Sequence, residues 1–120
     1  MPQFVLLLRD DRSAVSGISP EEMQRIAQRY GAWRQSLQAK AVGGQKLTDG
    51  EGRVLRKQNG KAVLSDGPFT EAKEIMGGFF IIEAADFNEA VELAKTCPHM
   101  DFGTIEIRQV DVMTRQAARS

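Results

Sequence analysis

Two apolar runs, Phe4-Val5-Leu6-Leu7-Leu8 and Phe79-Phe80-Ile81-Ile82-Glu83-Ala84, constrain this chain more than any other feature of its sequence. Each is short and bounded by charge or glycine, which suits a strand better than a helix. Successive side chains of a strand point to opposite faces, so Phe4, Leu6 and Leu8 share one face while Val5 and Leu7 share the other. Both faces are therefore apolar. A strand with one solvated face alternates with polar residues, and these two runs call for packing on each side.

The segments between them carry helix and turn signals. Ser19-Pro20-Glu21-Glu22 supplies an N-cap, a proline at the first helical position and a capping-box glutamate. Met23, Ile26, Ala27, Tyr30, Trp33, Leu37 and Ala41 then recur at spacings of three and four, predicting a long amphipathic helix over about residues 20–40. Val42 to Leu47 reads as a glycine-weakened strand. Asn59-Gly60 between Arg53–Lys57 and Lys61–Ser65 predicts a β-hairpin. Asp66-Gly67-Pro68-Phe69 is a turn, and Thr70 to Glu74 has the composition of one helical turn. Asp86 and Glu89 repeat the capping pattern before a second helix that ends near Cys97-Pro98, and Thr104 to Val110 alternates as a last strand.

With the hairpin set aside as an insertion, the order is strand, helix, strand, strand, helix, strand. That is the ferredoxin-like βαββαβ unit, an α+β fold with both helices on one face of an antiparallel sheet. A single domain over residues 1–112, followed by a polar tail at 113–120, accommodates it within 120 residues. The other face of the sheet stays uncovered. Exposing its Leu, Ile and Phe side chains would leave hundreds of Å² of apolar surface at roughly 25 cal/mol per Å², so a homodimer packed through the open face is expected.

Composition excludes several functions. The 16 basic and 16 acidic residues balance, leaving no charge excess for nucleic acid or an anionic membrane. The first residues have neither a basic region nor a long apolar stretch, and the single cysteine can form no intrachain disulfide, so a cytoplasmic location is expected. Gly43-Gly44-Gln45-Lys46 and Asp49-Gly50-Glu51-Gly52 lack the Gly-Lys-Ser/Thr of a phosphate loop. Cys97, His99 and Asp101 have no spaced partner set for a metal. No cofactor is expected.

The long motif Asp66-Gly67-Pro68-Phe69-Thr70-Glu71-Ala72-Lys73-Glu74, with Gly77-Gly78-Phe79, Cys97-Pro98-His99 and Gly103-Thr104-Ile105-Glu106-Ile107-Arg108, closely resembles the YCII-related, DGPF-motif family. The match covers nearly the whole chain. The resemblance implies a fold of the dimeric α+β barrel type. It also implies a link to alternative sigma factors, since many relatives are encoded beside them, and for a few relatives an enzymatic activity on small organic molecules. Those enzyme-like relatives use a histidine in the first long helix, paired with an aspartate across a cleft. Here that helix offers Tyr30 and Trp33 instead, because His99 is the sole histidine.

Each candidate site residue has a structural reading beside the functional one. Asp66 either bonds the amides of its own turn or faces a cleft as acid, base or ligand anchor. His99, the sole histidine, lies in a helix-to-strand loop, as a catalytic group or a capping one. Tyr30 and Trp33 lie on the core stripe, as packing or as ligand contacts. Glu71 and Lys73 match the family motif, Lys73 as an anion contact or both as solvated charges. Glu106 and Arg108 project from one face of the last strand, either into solvent or into a dimer cleft. Two functions follow: a dimeric small-molecule-binding or accessory module, and a cofactor-free enzyme using Asp66 for acid-base chemistry on a small organic compound.

Overall fold

The computed structural model describes residues 1–48, 52–65 and 74–112. Its first strand, β1 (Gln3–Asp11), is followed by a short helix α1 (Arg12–Val15), the long helix α2 (Pro20–Ser36) and β2 (Ala41–Lys46). The hairpin strands β3 (Val54–Gln58) and β4 (Lys61–Ser65) come next, then β5 (Glu74–Glu83), α3 (Phe87–Lys95) and β6 (Gly103–Gln109). The main sheet has the strand order β2-β5-β1-β6, with every pairing antiparallel. This is the ferredoxin-like arrangement, with the hairpin as a separate two-stranded sheet. No helix among the described residues is long and apolar enough to cross a membrane.

The two apolar runs lie side by side at the centre, in the register Phe4↔Ile82, Leu6↔Phe80 and Leu8↔Gly78. Phe4, Leu6, Leu8 and Ile82 form the helix-covered face, and Trp33 of α2 and Leu37 just after it, with Ala90 and Ala94 of α3, close over them. Val5, Leu7, Phe79 and Ile81 lie on the opposite face and are only half-buried. The difference between the two faces follows from having both helices on one side. Beside this second face, Arg9 donates to Glu106 at 3.1 Å and Arg108 donates to the same carboxylate at 3.3 Å. Those two hydrogen bonds hold the Glu106 carboxyl below its ordinary pKa.

Local chemistry explains the element ends. Ser19 accepts from the Glu22 amide at 3.2 Å, and Pro20 opens α2. Asp86 accepts from the Glu89 amide, while the Glu89 carboxylate accepts from the Ala85 amide. At the tip of the hairpin Asn59 and Gly60 both have positive φ, 51° and 78°, as a two-residue turn of the primed type requires. The long helix stops at Ser36, short of the expected residue 40. Gln38 takes φ 54° and the chain finishes as a 3₁₀ turn, Gln38–Lys40, which swings Ala41 into register with Ile82. β1 also runs three residues past the end of the apolar run at Leu8, to Asp11, and α1 occupies part of the expected loop from Asp10 to Ile18. Asp66, Glu71 and Lys73 lie outside the described residues, as does the expected helical turn over Thr70–Glu74 except for its last residue, and Glu74 is instead extended and opens β5.

Candidate functional site

The stripe on α2 divides along its length. Trp33 and Leu37 are buried in the core, but Met23, Ile26, Ala27 and Tyr30, one to three turns nearer the N-terminus, line a cavity of about 360 Å³. The floor of the cavity is the sheet, from Leu8 and Asp10 of β1 to Gly77, Gly78, Phe79 and Phe80 of β5, and Gly44 to Lys46 of β2 form its far side. An adjoining hollow of about 470 Å³ shares Asp10, Met23, Ile26, Tyr30 and Lys46 with it and reaches Arg12 and Phe102. Volumes of this order suit a small organic ligand.

His99 lies at the end of this cavity and is 2% exposed. The 3₁₀ turn Pro98–Asp101 carries it there, braced by Cys97 N–H donating to Ala94 O and Phe102 N–H donating to His99 O. Nδ1 of its ring lies 2.9 Å from the Tyr30 hydroxyl and Nε2 lies 2.8 Å from the carbonyl oxygen of Arg9. A carbonyl oxygen only accepts, so Nε2 must carry the proton. In the neutral imidazole Nδ1 is then an acceptor, and Tyr30 donates its O–H to it. The Asp10 carboxylate stands 3.8 Å from Nε2, close enough to act through its charge but beyond hydrogen-bond length.

Other contacts fix these three groups. Tyr30 packs against Phe80 with ring centroids 6.4 Å apart, and one residue before it Arg29 bonds Asp101 at 2.7 Å, tying α2 to the turn that holds His99. That exposed ion pair is worth roughly 0–1 kcal/mol, so it orients more than it stabilises. β1 and β5 shift register between Leu8 and Arg9, leaving Gly77 as the extra residue of a bulge. A Cβ on Gly77 would fall 2.3 Å from Asp10 Oδ2, so only glycine leaves room for that carboxylate in its present place.

Placed against the sequence expectations, Tyr30 and His99 come together at one cavity. Trp33 is a core residue whose indole N–H donates to Thr96 Oγ1 at 2.8 Å, and it lies outside the cavity lining. Glu106 and Arg108 lie on the opposite face of the sheet. Asp66, Glu71 and Lys73 are outside the described residues. Sequence reasoning missed Asp10, Arg34, Lys46 and Gly77. Asp10 follows Leu8 by two residues and Arg34 follows Tyr30 by four, so strand and helix periodicity carried both signals. No group of three His, Cys, Asp or Glu side chains among the described residues is arranged to hold a metal ion.

A family model described as the YCII-related domain matches residues 3–114. The chain belongs to the YCII-related family. An uncharacterised protein of Rhizobium meliloti (strain 1021) is 29% identical over 110 residues, covering 88% of this chain and 89% of the relative. Among solved structures, 5-chloro-2-hydroxyhydroquinone dehydrochlorinase of Burkholderia phenoliruptrix, in complex with 2,5-dihydroxybenzoquinone, aligns over 91% of this chain and 93% of its own. It does so at 20% identity and a TM-score of 0.45. In this YCII-related chain, the long helix contributes a tyrosine to the cavity and the histidine arrives from the turn before β6.

Burial raises the Tyr30 phenol pKa, with smaller contributions from Cys97 and Asp10. The folded chain therefore keeps this proton when the unfolded chain has released it, and stability falls as pH climbs past about 10. Tyr30 is the sole tyrosine, so phenolate absorbance reports on it alone. The native protein is expected to show no phenolate through the range in which free tyrosine titrates, with the signal appearing only at unfolding. Ordinary titration in the native state would contradict the hydrogen-bonded, part-buried Tyr30–His99 pair.

Proposed function

We propose that this YCII-related protein binds a small ring compound in the cavity beneath α2 and exchanges a proton with it through Tyr30 and His99, without a cofactor. The observation that carries the proposal is the fixed hydrogen-bond direction: Nε2–H is committed to the Arg9 carbonyl, leaving Nδ1 to receive the Tyr30 proton. A ligand donor bonded to the phenol oxygen gives that oxygen a proton as the phenol proton passes to Nδ1. The imidazolium so formed donates from both nitrogens. Its charge lies opposite Asp10 at 3.8 Å, an attraction of about 4 kcal/mol at an effective dielectric constant near 20. Reversal of the same two transfers returns a proton to a different atom of the ligand, which is the chemistry of an isomerisation or an elimination.

Asp10 is the carboxylate that faces His99 in this reading, while Asp66, the acid-base group of the sequence reading, lies outside the described residues. A positioned proton-transfer group contributes roughly 10²–10⁴-fold. In deuterated buffer, with a panel of cyclic ketones and phenols as probes, the wild-type protein is expected to speed deuterium entry at the acidic carbon of at least one compound. Tyr30→Phe and His99→Gln should each lose that acceleration by about 100-fold or more while keeping the native fold. Binding without exchange in wild type would favour the binding-module reading, and no binding would sink both.

A homodimer through the open sheet face completes the proposed assembly. Val5, Leu7, Phe79 and Ile81 make an apolar centre there, with the Arg9–Glu106–Arg108 charges on β1 and β6 beside it. A two-fold axis would bring each apolar patch onto its copy. Light scattering at micromolar concentration is expected to return twice the 13.3 kDa chain mass. Ile81→Lys should return the single-chain mass, and a monomeric wild type would rule the interface out.

A further inference from the structure

We propose that the compound bound in the cavity is an anion, a ring carrying a carboxylate, and that Arg34 is the residue that selects it. The inference rests on the reading of the cavity as a ligand site and adds to it the ligand's charge. The charged groups lining the cavity among the described residues are Arg34 and Lys46 on the basic side and Asp10 on the acidic side. Asp10 stands 3.8 Å from His99 Nε2. Lys46 is steadied by donating from Nζ to the Leu47 carbonyl at 3.2 Å.

Arg34 lies four residues after Tyr30 on the same face of α2, their backbones about 6 Å apart along the helix axis, and both residues line the cavity. A ring substituted at opposite positions can present a different group to each of them. A hydroxyl or acidic carbon at one end of such a ring meets Tyr30 while a carboxylate at the other meets the planar fork of Arg34, which accepts carboxylates in bidentate fashion. Leu8, Met23, Ile26, Ala27 and Phe80 give the cavity apolar walls that suit a ring. The exposed position of Arg34 makes its replacement tolerable to the fold.

The test compares 4-hydroxybenzoate with 4-hydroxybenzamide, which have nearly the same shape and differ in charge. Binding is followed by the ring resonances of Tyr30 and His99. The acid is expected to bind about tenfold more tightly than the amide, the equivalent of roughly 1.4 kcal/mol for one charge-assisted contact. Arg34→Gln should abolish that preference by weakening the acid more than the amide, and Lys95→Gln, a change of charge at a residue outside the cavity lining, should preserve it. Equal affinity for acid and amide, or a preference that survives Arg34→Gln, overturns the anion assignment while leaving the cavity as a ring-binding site. If neither compound perturbs Tyr30 or His99, the cavity reading falls and the anion assignment falls with it.

Discussion

The hydrogen bond from His99 Nε2–H to the Arg9 carbonyl is the contact on which the rest of the site depends. It joins the turn before β6 to the end of β1 and determines which ring nitrogen holds the proton. In the other tautomer, with the proton on Nδ1, the same ring would present an N–H to Tyr30 and a lone pair to the Arg9 carbonyl, and the phenol would have to accept instead of donate. A buried imidazole with both nitrogens bonded is also a satisfied core group, and no buried side-chain nitrogen or oxygen among the described residues lacks a hydrogen-bond partner. Stability and the proposed proton exchange thus share one geometry. The feature that favours the proposed exchange over a purely structural pair is the cavity that Tyr30 lines.

Arg9 serves both faces of the sheet. Its backbone carbonyl holds His99 under the helices, while its side chain reaches Glu106 on the opposite face. A partner packed on that second face would stiffen β1 at the residue that orients the imidazole. The bulge at Gly77 has a related effect from the neighbouring strand, since it opens the space that the Asp10 carboxylate fills. The position of that carboxylate therefore follows from the pairing of β1 with β5.

Much of the fold was legible because it rested on strong local signals. Ser19-Pro20, Asp86 with Glu89 and Asn59-Gly60 each state a backbone conformation in a few residues, and each element formed where those residues placed it. The paired apolar runs likewise gave the centre of the sheet. Boundaries were harder. The end of α2 depends on Gln38 adopting a left-handed conformation, which nothing in its side chain demands. The site was legible in part. Tyr30 and His99 were both candidates, but they are 69 residues apart, and only the packing of α2 on the turn after α3 shows that they meet. Asp10 was hidden by its position at the end of an apolar strand, where it looked like the start of a loop. Trp33 shares the stripe with Tyr30, yet lies one turn deeper beneath α3, where its indole bonds Thr96.

The central claim is the protonation state of one ring. Nitrogen-15 spectroscopy of the neutral form of His99, the sole histidine, reads it without interference from any other residue. The account predicts a proton on Nε2 and a lone pair on Nδ1, with the Nδ1 resonance moving when Tyr30→Phe removes its hydrogen bond. A proton on Nδ1 in the native protein, or an Nδ1 resonance indifferent to Tyr30→Phe, would contradict it.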